Sequence, residues 1–233
     1  MRIDKFISET GYCSRRETKR LLDAKRITIN GYPCDKNSVV EEGDCVLIDG
    51  RTIPEKEKAI YIVLNKPIGI TCTAANHIEG NIIDFVNYPA RIFPIGRLDK
   101  ASEGLILLTN DGDIVNRMMR SQYGHEKEYV VTVDKPFSDY FLEGMSQGVN
   151  IVGGRTKPCT TTRMSDNSFR IILTQGLNRQ IRRMCRYFGY TVTKLERVRI
   201  MNIELGDLPK GEWRYLTQGE QKELMQQLYI ELV

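Results

Sequence analysis

Residues 93–105 read FPIGRLDKASEGL and lie near the middle of the chain. The proline and two glycines interrupt regular structure, and the apolar run at 105–108 predicts a buried strand, so the stretch is interpreted as a loop that leads into a strand. The loop carries Arg97, Asp99 and Lys100. A carboxylate beside two cations is expected to stay ionised, and a fixed carboxylate can serve as a nucleophile, a general base or a metal ligand. From these residues alone, the alternative is a surface aspartate in a charged turn.

The composition is that of a soluble globular protein. The chain has 233 residues, enough for one ordinary domain and a smaller one, with 41% hydrophobic and 27% charged residues. No apolar run approaches the roughly 20 residues that cross a bilayer, and residues 1–5 carry an acid and no signal-like apolar core. We therefore expect a cytoplasmic protein that is not associated with a membrane.

The cysteines do not suggest a metal centre. The six cysteines are widely scattered, none belongs to a C-x-x-C pair, and only two histidines are available to assist them. This spacing argues against both a zinc site and a disulfide framework, so we expect no metal and buried or idle thiols.

The positive charge is concentrated in two zones, although the net charge is only +4. Such zones in a nearly neutral protein are a better indication of a nucleic-acid partner than the overall charge. The first zone comprises Arg15, Arg16, Lys19, Arg20, Lys25 and Arg26, and the second comprises Arg179, Arg182, Arg183, Arg186, Lys194, Arg197 and Arg199.

The N-terminal 50 residues are predicted to form a small module of two helices and a hairpin. Apolar residues at 3, 6 and 7 have helical spacing before Gly11, and Ser14 with Glu17 forms a capping box for a second helix. Strands are predicted at 27–29 and 46–48, with a tight turn at Asn30-Gly31. The basic face of the second helix, with Arg15, Arg16 and Lys19, is either an RNA-binding surface or a solvated helix face.

A polar segment at 51–58 that contains a proline is interpreted as a linker, and a second domain is expected at 59–233. Its predicted class is α+β, with a mixed, mainly antiparallel sheet. Strands are expected at 59–64, 105–109, 128–133, 157–164 and 169–174, and helices at 111–120, from Ser138 to 147, from an Asn178 cap to Gly189, and after a capping box at Thr217.

Several stretches resemble one family. Gly96-Arg97-Leu98-Asp99 with Gly104-Leu105 resembles the catalytic motif of the pseudouridine synthases, and 65–69 and 178–184 resemble the first and third motifs of that family. Residues 2–50 resemble the S4 RNA-binding module. The resemblance covers nearly the whole chain and is greatest to the RsuA/RluB/RluE/RluF group, which modifies ribosomal RNA.

The resemblance implies an enzyme that isomerises a uridine of large-subunit (23S) ribosomal RNA to pseudouridine, with base flipping and without a cofactor. It implies that Asp99 is the essential carboxylate, that Arg182 pairs with it, and that Tyr129 stacks on the target base. Arg97 corresponds to a residue that fills the gap left by the flipped base. Further RNA contacts are expected from Leu98, Lys100, Asn178, Arg179, Gln180, Arg15, Arg16 and Lys19.

Alternatives remain open at this stage. Tyr129 could be an ordinary core aromatic, Arg182 a solvated helix arginine, and Arg97 a salt-bridge partner. The chain could be a non-catalytic S4-type RNA-binding factor, although the presence of all three predicted catalytic residues argues against this. The same chemistry could act on tRNA or small-subunit ribosomal RNA, since the sequence does not specify the target uridine. We expect the protein to be a monomer.

Overall fold

The computed structural model of the protein describes residues 1–75, 77–120 and 123–229. The chain divides into two compact units. The first contains Met1–Ile60 together with Tyr88–Ile92 and Asn110–Gly112, and the second contains the remainder of the described chain.

The first unit is built from two helices and a four-stranded antiparallel sheet with strand order β2-β1-β3-β4. Its core contains Ile3, Ile7, Leu22, Ile27 and Ile48, all of them buried. The elements are α1 (Ile3–Glu9), α2 (Arg15–Asp23), β1 (Ile27–Ile29), β2 (Tyr32–Pro33), β3 (Val46–Ile48) and β4 (Arg51–Thr52).

The local predictions for this unit are largely confirmed. Ser14 and Glu17 form the predicted capping box of α2, because each side chain bonds the backbone N–H of the other residue. Asn30 and Gly31 have φ values of 53° and 83°, which close the β1–β2 turn. Arg51 and Thr52, placed in a linker on sequence grounds, instead pair with β3 as the edge strand β4, so the small sheet is larger than the predicted hairpin.

The second unit is centred on a nine-stranded sheet, which is mixed and mostly antiparallel as predicted. Its elements are β5 (Tyr61–Lys66), α3 (Ile82–Val86), β6 (Phe93–Ile95), β7 (Glu103–Thr109), α4 (Gly112–Met119), β8 (Lys127–Val133), α5 (Asp139–Ser146), β9 (Asn150–Ile151), β10 (Gly154–Arg155), β11 (Thr160–Arg163), β12 (Ser168–Leu173), α6 (Gln180–Tyr187), β13 (Val192–Ile200), β14 (Ile203–Glu204), β15 (Trp213–Tyr215) and α7 (Gln218–Gln227).

The strand order of this sheet is β11-β12-β8-β13-β7-β5-β15, with β6 paired to β7 and β14 to β13. The central pair β13–β7 is parallel. Strand β5 is buried along its whole length, as its continuous apolar run predicts. One core cluster includes residues of α5, α6, β8 and β12, and another includes residues of α4, α7, β5 and β7.

Two local predictions for this unit are wrong, and a third is confirmed in part. Phe93–Ile95 belongs to strand β6 rather than to the loop, because its residues pair with β7. Ser138 is the N-cap of α5, at the predicted start of that helix, but its side chain makes no capping hydrogen bond. Asn178 is not the N-cap of α6: Arg179 occupies that position with a φ of 51°, and the helix begins at Gln180.

Candidate active site

Asp99 lies in the loop between β6 and β7, and the loop is held at several backbone positions. The Ser102 N–H donates to the Asp99 carbonyl at 2.9 Å, and the Gly69 N–H donates to the Lys100 carbonyl at 2.8 Å. Gly96 has a φ of 76°, which a residue with a side chain rarely adopts. The Asp99 side chain is 30% exposed, so its carboxylate is fixed and still reachable.

Among the described residues, Arg179 is the cation in ion-pair contact with Asp99. Its Nη1 lies 3.6 Å from the Asp99 Oδ2. Lys66 and Arg182 lie close enough to interact electrostatically with the same carboxylate. Arg97, the predicted neighbouring cation, is exposed to solvent. The positive surroundings of Asp99 therefore come mainly from other elements, rather than from the loop itself.

Arg182 does not make the direct pair with Asp99 that the resemblance implies. Its guanidinium donates to the Ala101 carbonyl at 2.8 Å, the Val192 carbonyl at 3.0 Å and the Ser102 hydroxyl at 3.3 Å. Burial lowers the pKa of Arg182, and Arg179 beside it adds to that effect while Asp99 opposes it. Arg182 thus ties α6 to the end of the Asp99 loop and to the start of β13.

The turn before α6 positions these arginines. Gln180 is buried, and its side-chain oxygen accepts the Leu177 N–H at 3.0 Å. Asn178 accepts a bond of 2.8 Å from the Arg183 guanidinium. Gln180 is therefore used inside the turn, and the structure does not present it for the predicted RNA contact.

The other predicted residues of the loop have different environments. Leu98 is buried, and its N–H donates to the Cys72 sulfur at 3.4 Å. Lys100 is exposed, like Arg97. The two exposed cations are available to a ligand, whereas Leu98 anchors the loop to the protein interior.

The pairing of the strands places Tyr129 in line with residues near the Asp99 loop. Lys66, Gly104, Arg197 and Tyr129 are successive partners across β5, β7, β13 and β8. Partners in register point to the same face of a sheet, so these residues form one row on the face that also carries α6. Tyr129 is partly buried against the core cluster beneath α5 and α6. Tyr129 therefore packs against the core while part of the residue remains exposed.

The row contains charged residues that sequence reasoning did not select for the site. Lys66 is fully buried, and its ammonium donates to the carbonyls of Pro67 at 2.8 Å and Ile70 at 3.0 Å. Burial lowers the pKa of Lys66, which Asp99 and Glu103 oppose and Arg197 reinforces. One feature of the sequence could have pointed to Lys66: it is a charged residue at the end of an otherwise apolar strand. Burying a charge is costly, so such a residue often has a specific role.

Glu103, which follows the Asp99 loop, is held by two ion pairs. It is buried at the start of β7, and its carboxylate pairs with Lys210 at 2.6 Å and Lys194 at 3.4 Å. Burial alone would raise the pKa of Glu103, but the hydrogen bonds and charges of the two lysines outweigh it and hold that pKa below its usual value. The segment from Asp99 to Glu103 is thus fixed by groups on both sides.

The predicted RNA-binding residues of the first unit lie on α2. Arg15, Arg16 and Lys19 are all exposed. The Arg15 guanidinium also pairs with Asp4 at 2.7 Å. Its positive charge is therefore partly neutralised in place, whereas Arg16 and Lys19 have no ion pair in the described part of the chain.

Across residues 1–75, 77–120 and 123–229 there is no group of three or more His, Cys, Asp or Glu residues placed to hold a metal ion. Helices in the same ranges are all too short or too polar to cross a bilayer. Burial raises the pKa of Cys185 to about 12 and that of Cys159 to about 11, so both thiols remain protonated.

Comparison with known proteins identifies both units. Residues 60–187 match the family described as RNA pseudouridylate synthase, and residues 1–53 match the S4 domain. A solved structure described as a pseudouridylate synthase superimposes with a TM-score of 0.71, at 29% identity, and the match covers 96% of this chain and 99% of the other.

Two named relatives agree with this match. The Dual-specificity RNA pseudouridine synthase RluF of Salmonella typhi is 54% identical over 221 residues, which cover 94% of this chain and 76% of the relative. The Ribosomal large subunit pseudouridine synthase B of Bacillus subtilis is 32% identical over 232 residues, which cover 96% and 95%.

The sheet, the Asp99 loop and these matches define an RNA pseudouridine synthase with an N-terminal S4 domain. Within that class, the chain belongs to the RluF/RsuA family. The resemblance noted in the sequence and the predicted fold class are confirmed.

Proposed function

We propose that the enzyme isomerises a uridine of 23S ribosomal RNA, with Asp99 as the carboxylate at the reacting centre. The observation that carries the proposal is the fixed, partly exposed Asp99 beside Arg179 at 3.6 Å. The names of the relatives support the RNA class, since one acts on the ribosomal large subunit and another is called dual-specificity.

The word "dual-specificity" favours a second substrate, for which tRNA is our candidate. Loops and splayed bases are read by shape and stacking rather than by a short code, so one site can accept uridines from two RNA classes. We expect the enzyme to act in the cytoplasm as a monomer.

The reaction balances without an oxidant or a cofactor. The C1′–N1 bond breaks, the uracil turns, the C1′–C5 bond forms, the proton on C5 leaves and N1 gains a proton. A carboxylate next to the sugar–base junction can attack the ribose, attack the ring or remove the proton, and all three roles are open to Asp99. The nucleotide must leave its stack to reach the site, and exposed Arg97 can fill the gap with its planar guanidinium.

Tyr129 is proposed to stack on the flipped uracil, and substitutions separate this role from core packing. Tyr129→Phe keeps the ring and should retain most activity, whereas Tyr129→Leu should lose about ten- to a hundred-fold, the range expected for one stacking contact. If Tyr129→Leu instead lowers the melting temperature and the folded fraction turns over normally, the ring has only a packing role.

The proposal for the substrate is tested by mapping pseudouridines in total cellular RNA with the gene present, deleted, and restored as wild type or as Asp99→Asn. We expect a 23S position to be lost on deletion and to return only with the wild-type gene. Loss confined to tRNA or to small-subunit RNA would contradict the ribosomal large-subunit target, and an unchanged map would contradict the proposal as a whole.

A further inference from the structure

Arg197 is a buried cation on β13. Its side chain is 3% exposed, and its Nε donates to the Leu105 carbonyl at 2.7 Å. Its Nη2 is buried and has no hydrogen-bond partner among the residues that the structure describes. In the part of the chain that the structure describes, no carboxylate lies within ion-pair distance of this guanidinium.

Two further cations surround it. Lys66 is fully buried in the same row of the sheet, and Lys127 lies two residues before Tyr129, on the same face of β8. Burial lowers the pKa of Lys127, and Arg197 lowers it further. Neither lysine has an ion pair among the described residues. Asp99 and Glu103 both act on Lys66, but Asp99 already contacts Arg179 and Glu103 already pairs with Lys194 and Lys210, so positive charge remains in excess around Arg197.

Such an arrangement costs stability. A buried charge that lacks a partner is penalised by desolvation, and replacing it with an apolar group of similar size is often neutral or stabilising. A buried polar group without a partner in a folded protein calls for an explanation, and a role in catalysis is one such explanation. The excess of positive charge therefore fits a site in which negative charge appears only during the reaction.

We propose that Arg197, supported by Lys66 and Lys127, stabilises the negative charge left on the uracil when the C1′–N1 bond breaks. The inference rests on the proposed stacking of the uracil on Tyr129, which is the register partner of Arg197. The electron pair of the broken bond passes to N1 and is shared with the O2 and O4 carbonyls. A fixed cation in a low-dielectric site needs no reorganisation as that charge develops.

The experiment compares Arg197→Met, Arg197→Lys and wild type on an RNA fragment containing a uridine that the wild-type enzyme modifies. For Arg197→Met we expect the single-turnover rate to fall by roughly 100-fold, the scale for removing one group that stabilises developing charge. The dissociation constant of Arg197→Met for RNA should stay within about threefold of the wild-type value, because the proposed interaction forms only as the bond breaks and not in the bound substrate. The melting temperature should be unchanged or higher, because an unpaired buried charge has been removed.

Arg197→Lys keeps the charge and should recover a large part of the lost rate. Arg170→Met is the matched control, since Arg170 is an arginine of the same sheet that pairs with Glu128 on the opposite face. The control should turn over at close to the wild-type rate.

Three results would overturn the inference. One is a normal rate for Arg197→Met. Another is a loss of rate that the Lys variant does not reduce. The third is a large fall in melting temperature, or failure to fold, in the Met variant, because either outcome indicates a structural brace. Absence of turnover by the wild type on every RNA would be a failure of the proposed function and not of Arg197.

Discussion

Two helices are rich in arginine, α2 in the first unit and α6 in the second, and their arginines have different partners. In α2, Arg15 meets a carboxylate, Asp4, at 2.7 Å and remains half-exposed. In α6, Arg182 donates to the Ala101 and Val192 carbonyls, and Arg183 donates to the Val152 carbonyl at 2.8 Å.

The difference shows that basic clusters of equal density can have unequal roles. An exposed surface pair contributes little to stability and leaves the charge free to contact phosphates. A guanidinium that bonds backbone carbonyls fixes the segments that it joins, and its charge still acts on the neighbouring site. Substitutions in the second region should therefore have larger effects than those in the first.

The largest expected effect is that of Gly104→Ala. Gly104 has a φ of 99°, and an added Cβ would lie 2.8 Å from the Arg197 nitrogen, a backbone atom that cannot move aside. We expect a loss of about 4 kcal/mol or more in the free energy of unfolding, measured by urea denaturation. Gly31→Ala in the first unit is the control: its φ is 83° with open space around it, so it should cost only about 1 kcal/mol. If Gly104→Ala and Gly31→Ala lost the same free energy of unfolding, the two regions would not differ in their sensitivity to substitution.

Arg182→Met should leave the fold intact and slow the reaction. Without its bonds to Ala101 and Ser102, the Asp99 loop is free to shift, and a misplacement of roughly 1 Å can cost about 100-fold in rate. The rate is measured at saturating RNA, so that weaker binding does not contribute. Arg186→Met, on the exposed side of the same helix, should retain nearly the wild-type rate. Similar rates for both variants would contradict the clamping role of Arg182.

Glu103→Gln should destabilise the protein in a pH-dependent way. The lysines hold the pKa of Glu103 below its usual value, so its contribution is complete above about pH 4.5 and is lost as the pH falls through the lower pKa of the folded state. At pH 7 we expect a cost of about 1–2 kcal/mol, less than for a fully buried pair because both lysines are half-exposed. Denaturation of both proteins from pH 3 to pH 7 tests this, and a difference that does not shrink at low pH would refute it.

The smallest effect is expected for Arg15→Ala with Arg16→Ala. Stability should change by at most about 1 kcal/mol, and the salt dependence of RNA binding should flatten by roughly 0.7 in slope for each lost phosphate contact. Lys36→Ala, an exposed residue outside α2, serves as the control. An unchanged slope in the double variant would mean that the basic face of α2 is only solvated.

Local patterns were sufficient for much of the fold. The capping box at Ser14 and Glu17, the turn at Asn30-Gly31 and the buried strand β5 depend on neighbouring residues, so the sequence predicts them. Asn178 was assigned as a cap by residue type, whereas the actual turn places Arg179 in the left-handed region. That choice depends on the buried side chain of Gln180, which no local pattern reveals.

The candidate site was only partly predictable for a similar reason. The motif around Asp99 pointed to the carboxylate, but the cations that act on it come from β5, from α6 and from the turn before α6. The alignment of Lys66, Gly104 and Arg197 is a matter of strand register between segments far apart in the chain. From its residue type, Arg197 was grouped with the second basic zone of the sequence. In the structure its side chain is buried.

The most direct test of the account is the purified Asp99→Asn variant, assayed for pseudouridine formation and for RNA affinity with the same RNA. Asparagine preserves the size of the side chain and removes the charge that the fixed loop holds beside Arg179. We expect turnover to fall by at least about 1,000-fold while the dissociation constant stays within roughly tenfold, because the charge is needed for the reaction rather than for uniform binding. Appreciable turnover by a correctly folded Asp99→Asn protein would contradict the account.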